Sequence, residues 1–221
     1  MKKIIILGTG GNCIDIFDAI QDLNDTTNIP AFECIGFLDD NSDKWKKLLL
    51  GVPILGGLDI AGSFPQDVFF VNGIGSTATF ANKQKMISRT GVRDERFHTV
   101  IHPSACVSRL AILGSGSVVL QNAVIASNAR VGSHVMILPQ SVISHDAVVG
   151  DYSIIAGGAC ISGGVQVGES CYIGSNSTIR GNLHIGDNAL VGMGATVLND
   201  VSPGTVMVGN PARQMRNQNN N

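Results

Sequence analysis

Aliphatic residues recur at every sixth position throughout the second half of the chain. The series runs from Ile101 to Val197, and all seventeen members are isoleucine, valine or leucine. The fourth residue after each member is mostly small, and the residue directly after the aliphatic member itself is often glycine. A helix would require a period of 3.6 and a plain strand a period of 2. A period of six fits a short strand followed by a turn, so the pattern predicts a coiled repeat.

Three such units would close a triangular coil of eighteen residues, with the aliphatic side chains stacked inside. Neighbouring coils then lie ~4.8 Å apart, and about five and a half coils form a prism roughly 25 Å long. The pattern therefore predicts an all-β parallel β-helix. No hexad is displaced, so any cover over a bound substrate has to come from another domain or another subunit.

The first 98 residues follow a different pattern, in which buried strands alternate with helical spacing. Strands are predicted at 2–8, 32–40, 67–76 and 97–103, and helices at 12–23 and 77–90. This alternation predicts a small α/β domain with a Rossmann-like parallel sheet. The chain is thus divided into an α/β domain at 1–98, a β-helix at 99–209 and a tail at 210–221. The last six residues, RNQNNN, are polar and are expected to be disordered.

A glycine-rich loop, GTGGN, follows the first strand. The dinucleotide pattern G-x-G-x-x-G fails at its last position, where Cys13 stands, but a glycine-rich turn at a helix N-terminus still suits a phosphate group. Asp39 and Asp40 follow the second strand and would lie beside this turn. They could accept hydrogen bonds from ribose hydroxyls or a base N–H. The alternative is a tight turn next to a solvated acidic loop.

Composition excludes several classes of protein. A net charge of -2 argues against a nucleic-acid partner, and no apolar run approaches the ~18 residues that a membrane span needs. The apolar stretch after MKK is too short for a signal peptide. The five cysteines are scattered and odd in number, which indicates reduced thiols in the cytoplasm. His134, His145 and His184 occupy different hexad positions and would not converge, so no metal site is expected.

Together these parts resemble one family. The α/β domain with its glycine loop and LDD, the segment VISHDAVVGD and the closing VGNPARQM are similar to the PglD/NeuD group of bacterial sugar O- and N-acetyltransferases, over about residues 2–215. The flat faces of such a prism commonly pack around a threefold axis, so a homotrimer is expected, with a monomeric prism as the alternative. The resemblance implies a left-handed β-helix and acetyl-CoA bound between neighbouring subunits. It also implies that a nucleotide-linked sugar binds the α/β domain. Its matching positions are Gly10, Gly11, Asn12, Asp39, Asp40 and Gly75.

The resemblance implies that His145 is the catalytic base and that Asp146 is the carboxylate that pairs with it. A neutral imidazole suits removal of a proton from an attacking amine or hydroxyl, and a carboxylate on its other nitrogen fixes the tautomer. Gly163 lies one coil after His145, and its N–H could stabilise the oxyanion. The alternative is that His145 is a solvated corner residue. The candidates for acetyl-CoA binding are Ile154, Ser175, Arg180, Gly192, Gly194 and Arg213, and for the two arginines a plain surface role is the alternative.

Three positions depart from the family pattern. Family members often have His at the position of Asn12 and commonly have Glu at the position of Asp146. Some members carry a second His where this chain has Ile154. The favoured function is N-acetyl transfer from acetyl-CoA to a UDP-, dTDP- or GDP-linked 4-amino-deoxy sugar for surface glycans, by direct attack. The alternatives are O-acetylation of a sugar such as sialic acid and, in a different class, a binding protein without catalysis. The sequence leaves the nucleotide and the sugar open.

Overall fold

The computed structural model describes residues 1–26 and 29–215. The tail residues 216–221, which were predicted to be disordered, lie outside these ranges.

A five-stranded sheet forms the core of the N-terminal part, in the order β3-β4-β2-β1-β5. Its strands are β1 Lys2–Leu7, β2 Phe32–Leu38, β3 Leu48–Leu49, β4 Val52–Gly56 and β5 Val68–Asn72. All pairs are parallel except β3 with β4. Helix α1, Gly11–Asp25, packs its buried face on the sheet. The predicted α/β domain is confirmed, although the β3–β4 hairpin was not predicted.

The helix predicted at 77–90 is shorter in the structure. Its α-helical part is α2, Lys83–Ser88, preceded by a single 3₁₀ turn at Phe80–Asn82. Ser76 bonds the Thr79 hydroxyl and the Ala78 N–H, so the start of the segment is a side-chain-stabilised turn. Serine and threonine favour such turns over a helix interior because their hydroxyls compete for backbone groups.

The predicted β-helix is confirmed. Seventeen two-residue strands recur every six residues, and the second residue of each is the aliphatic member of the repeat. The strands are β6 Val100–Ile101, β7 Cys106–Val107, β8 Ile112–Leu113, β9 Val118–Val119, β10 Val124–Ile125, β11 Arg130–Val131, β12 Met136–Ile137, β13 Val142–Ile143, β14 Val148–Val149, β15 Ile154–Ile155, β16 Cys160–Ile161, β17 Gln166–Val167, β18 Tyr172–Ile173, β19 Thr178–Ile179, β20 His184–Ile185, β21 Leu190–Val191 and β22 Thr196–Val197.

Every third strand belongs to the same face of the prism. Face 1 contains β6, β9, β12, β15, β18 and β21, face 2 runs from β7 to β22, and face 3 runs from β8 to β20. Strands β23 Val206–Val208 and β24 Arg213–Gln214 extend face 1 as an antiparallel pair. The tail predicted to begin at residue 210 is therefore folded through this pair, because β24 continues the hydrogen bonding of the sheet.

The turns between faces share one backbone conformation. Every sixth residue from Gly116 to Gly194 has a positive φ, and five of these positions are asparagine. Asparagine and aspartate tolerate this left-handed conformation better than most residues do. Asp146 is one member of the series, with φ 60°. Its residue type therefore also has a backbone reason that is independent of chemistry.

The N-terminal part packs on face 1. The outward side chains of this face, including Val118, Met136 and Ile154, share an apolar cluster with Ile16 and Ile20 of α1. At the edge between faces 3 and 1, Lys83 is fully buried, and its Nζ donates to the His134 carbonyl at 2.6 Å. The sheet, α1 and the prism thus form one continuous packed unit.

Candidate functional site

A cleft of about 400 Å³ opens at the carboxyl ends of β1, β2 and β5. Open parallel sheets bind their ligands at this edge. All six residues that the sequence predicted for substrate binding line this cleft, namely Gly10, Gly11, Asn12, Asp39, Asp40 and Gly75. Leu58, Ser76, Thr79 and Met86 also line it.

The glycine loop leaves the start of α1 open to the cleft. Gly10 is the N-cap of α1 in an extended conformation, and it has no side chain to cap the first N–H groups of the helix. A Cβ on Gly10 or Gly11 would meet no atom within 4 Å. The first N–H groups of a helix attract anions. Asn12 donates through Nδ2 to the Gly75 carbonyl at 2.7 Å, which ties the helix start to the loop after β5.

Both acids of the cleft are already held by the protein. The Asp39 carboxylate accepts bonds from the Thr9 hydroxyl and the Asn41 N–H, and it pairs with Lys44 Nζ at 3.0 Å. Partial burial raises the pKa of Asp39, but these hydrogen bonds outweigh it and hold the pKa below its ordinary value.

Asp40 accepts from the Leu58 N–H at 3.0 Å and pairs with Arg89. Each carboxylate is therefore fixed in orientation at the cleft wall. Thr9, Lys44 and Arg89 were not predicted, since no motif marks them and only the fold brings them to these acids.

His145 lies at the edge between faces 2 and 3, called here the 2/3 edge, where residues 144–147 turn. Its Nδ1 is 2.8 Å from Asp146 Oδ2, and the two side chains are 70% and 57% exposed. A carboxylate at Nδ1 selects the tautomer that leaves the Nε2 lone pair open. The hydrogen bond from His145, then that from Asn128, lowers the pKa of Asp146. Asn128 was not predicted, because its asparagine type matches the turn position alone.

Gly163 stacks over the imidazole. A Cβ at Gly163 would stand 2.7 Å from His145 Nε2, so glycine provides the space in front of this atom. Among the described residues, the backbone N–H of Gly163 has no hydrogen-bond acceptor, whereas the flanking N–H groups of Ser162 and Gly164 are bonded. The structure therefore leaves a free donor beside the open nitrogen of His145.

The cleft and His145 lie on different sides of the prism in one chain. The loop at Gly75 rests on Ile154 and Met136 of face 1. His145 is at the 2/3 edge, which is the edge opposite face 1. A ligand held in the cleft therefore cannot reach the imidazole of the same chain.

The residues predicted for acetyl-CoA are distributed over different parts of the prism. Ser175 and Gly192 line a groove of about 310 Å³ with Thr77 and Tyr172, at the edge between faces 1 and 2, called the 1/2 edge. Gly194 follows at the same edge, and Arg213 pairs with Val208, which also lines the groove. Arg180 lies apart from them, at the His145 edge two coils later.

Ile154 is placed differently from the prediction. Its side chain is 1% exposed and is packed between Gly75 and the prism. The prediction that Ile154 contacts acetyl-CoA is therefore wrong. The physical reason is that Ile154 points outward from face 1, which the N-terminal part covers.

No group of three or more His, Cys, Asp or Glu side chains in residues 1–26 and 29–215 is arranged to hold a metal ion. Within the same ranges, no helix has the length and apolarity to span a membrane.

Comparisons with known proteins match both parts of the chain. Residues 3–87 match the PglD N-terminal domain, and residues 128–163 and 164–199 match bacterial transferase hexapeptide repeats. A curated relative, UDP-N-acetylbacillosamine N-acetyltransferase of Bacillus subtilis (strain 168), is 30% identical over 123 residues. These are 54% of this chain and 52% of the relative, so the match spans about half the length of that protein.

Two solved structures are similar over almost the whole chain. The acetyltransferase domain of PglB from Neisseria gonorrhoeae FA1090, in complex with acetyl coenzyme A, is 25% identical with a TM-score of 0.83, over 97% of this chain and 99% of that one. WeeI from Acinetobacter baumannii AYE is 27% identical with a TM-score of 0.72, over 96% and 99%. With a PglD N-terminal domain followed by hexapeptide repeats, the chain belongs to the PglD/NeuD-type family.

Proposed function

We propose that the protein is an acetyl-CoA-dependent N-acetyltransferase that acts on the amino group of a nucleotide-linked 4-amino-deoxy sugar. The observation that carries this proposal is the His145–Asp146 pair, with Nδ1 bound to the carboxylate and Nε2 open beside Gly163. The curated relative is an N-acetyltransferase of a UDP-linked sugar by its name, and the gonococcal domain binds acetyl coenzyme A. Residues 1–98 would hold the nucleotide sugar, and residues 99–209 would carry the chemistry.

The reaction is direct transfer between the two substrates. The amine nitrogen attacks the thioester carbonyl carbon, and His145 Nε2 accepts the proton that the nitrogen loses. The Gly163 N–H donates to the oxyanion of the tetrahedral intermediate. That intermediate then collapses, the carbon–sulfur bond breaks, and the leaving CoA thiolate takes up the proton that His145 accepted, which restores the neutral imidazole. Asp146 stays ionised throughout and stabilises the imidazolium.

We further propose that the active site forms between chains of a homotrimer. The outward residues of face 2 are mostly apolar or small, and all are accessible in the single chain: Cys106, Val124, Val142, Cys160, Thr178 and Thr196. With face 2 turned toward a threefold axis, the 1/2 edge of one chain would meet the 2/3 edge of the next. His145 would then face Ser175 and Gly192 of its neighbour and the cleft beside them.

All five cysteines are free thiols, which agrees with the proposed cytoplasmic location, where acetyl-CoA is available.

Thiol release from acetyl-CoA tests the proposal. The acceptors are UDP- and dTDP-linked 4-amino-4,6-dideoxy sugars, a GDP-linked 4-amino sugar, and free and CMP-linked sialic acid. We expect release with one amino sugar, reduced at least a hundredfold in His145→Ala. His184→Ala, which changes an exposed histidine on face 3, is the control. Release with sialic acid alone would replace the proposal by O-acetylation. Binding of a nucleotide sugar that is unaffected by His145→Ala, without release, would indicate a binding protein.

A further inference from the structure

We propose that Asn128 is a positioning residue that acts through Asp146 on His145. Its side-chain amide holds the Asp146 carboxylate in the orientation that keeps Oδ2 on the imidazole. This inference rests on the proposed role of His145 as the base.

The repeat brings Asn128 and Asp146 face to face. They are eighteen residues apart at the 2/3 edge, and both have φ 60°. The Asp146 N–H donates to the Ser127 carbonyl at 3.0 Å, which fixes the vertical spacing of the two turns. Across this spacing, Asn128 Nδ2 donates to Asp146 Oδ1 at 3.2 Å. The backbone of the prism therefore determines the contact.

Each carboxylate oxygen of Asp146 then has one partner. Oδ1 accepts from the Asn128 amide, and Oδ2 accepts from His145 Nδ1 at 2.8 Å. A surface carboxylate held through one oxygen still rotates about its terminal torsion, which has a broad energy profile. Contacts on both oxygens define the carboxylate plane and with it the direction of the imidazole.

The vertical neighbours at this edge make Asn128 distinctive. Leu110 stands one coil before Asn128, and Gly164 stands one coil after Asp146, so neither of these side chains can donate to the acid. Of the residues stacked above and below Asp146 at this edge, Asn128 is thus the one whose side chain donates an N–H to the carboxylate. The amide also favours the ionised carboxylate, since the hydrogen bonds from His145 and then Asn128 lower the pKa of Asp146.

The test compares three variants of the full-length protein. Asn128→Gly removes the amide while glycine keeps the positive φ without strain. Asn128→Asp keeps the shape but replaces the donor by a like charge. Asn188→Gly is the control, because Asn188 is exposed, has φ 58° and lies at another edge. Thermal unfolding establishes that the variants are equally folded.

The first readout is the titration of the Asp146 carboxyl carbon by NMR, which needs no substrate. We expect the pKa of Asp146 to rise in Asn128→Gly, to rise further in Asn128→Asp, and to stay unchanged in Asn188→Gly. The second readout is kcat/KM for the acceptor that the panel identifies. It should fall about three- to tenfold in Asn128→Gly with the KM for acetyl-CoA unchanged.

An Asp146 titration that is the same in Asn128→Gly and wild type would overturn the inference, as would an equal loss of kcat/KM in Asn188→Gly. Failure of the proposed function gives a different result. In that case wild type releases no thiol with any acceptor, while the titration still decides whether Asn128 holds Asp146.

Discussion

Gly163 lies directly over the imidazole of His145, one coil later along the prism, and a methyl group there would stand 2.6 Å from Cε1 of the ring. The ring belongs to an exposed side chain, which can rotate away at little cost to the fold. Space at Gly163 therefore matters for the position of Nε2 and much less for the stability of the protein.

The Gly163→Ala variant should lose activity without losing stability. We expect kcat to fall at least about tenfold while the free energy of unfolding changes by less than about 0.5 kcal/mol. Steady-state kinetics and urea unfolding provide the two measurements. In a His145→Ala background the same change should have no further effect, because the displaced group is absent. An additional loss in that background would contradict a role through His145.

Two inactive variants should restore activity when they are mixed, if the site combines two chains. Gly11→Glu places a negative charge at the start of α1, where an added Cβ would meet no atom within 4 Å and a carboxylate suits the helix N-terminus. It should repel the phosphates of the substrate. Coexpressed in equal amounts with His145→Ala, it should yield about a quarter of the wild-type sites, because half the clefts and half the bases are intact. Mixtures that stay inactive would place both halves of the site in one chain.

The fit of Gly75 over Ile154 should control binding of the nucleotide sugar. A Cβ at Gly75 would lie 2.7 Å from Ile154 Cδ1 but 3.4 Å from its Cγ1. Gly75→Ala should thus shift the loop that Asn12 binds and raise the KM for the acceptor about tenfold, with little change for acetyl-CoA. Ile154→Val deletes the colliding methyl and should restore most of the affinity in the double variant. If the double variant is as impaired as Gly75→Ala, the collision is not the cause.

Lys83 should make the stability of the protein depend on pH. Burial lowers the pKa of Lys83 from 10.5 to about 7, so between these values the unfolded chain binds more protons than the folded chain. The free energy of unfolding should therefore rise with pH across this window, with a slope approaching about 1.4 kcal/mol per unit.

Lys83→Met should flatten this rise, whereas Lys85→Met, an exposed change on the same helix, should not. Urea unfolding at pH 7 to 10 measures the difference between the two variants. Equal slopes in both would show that Lys83 is not the responsible group.

The repeat and the parallel sheet were predictable because each residue class recurs where the local geometry requires it. The β3–β4 hairpin was missed, although Leu50 and Gly51, both with positive φ, separate two apolar runs. The docking of the α/β part on face 1 also left a signal. Outward residues such as Met136 and Ile154 are apolar, whereas Arg130 and Gln166 occupy the corresponding places on face 3.

The pairings in the site were not predictable. The bonds of Lys44 to Asp39 and of Asn128 to Asp146 connect residues that no pattern links, since turn geometry alone already explains an asparagine at position 128. The six-residue period also gives the edge on which His145 stands, but apolar outward residues occur on face 2 as well as on face 1, so the sequence does not decide which of them the first domain covers. For that reason the separation of the cleft from His145 emerged only in three dimensions.

The covering of face 1 has a consequence for how the chain is made. On the ribosome, the first hundred residues emerge before most of the face 1 residues that complete the apolar cluster around Ile16 and Ile20 of α1. The strands of face 1 that complete this cluster are spread over four coils, through Val100, Val118, Met136 and Ile154. Each coil can be added on the preceding one as it is synthesised, because its contacts are only eighteen residues apart. During synthesis, the side of α1 that packs on the prism is therefore buried step by step, as each new coil adds its face 1 strand.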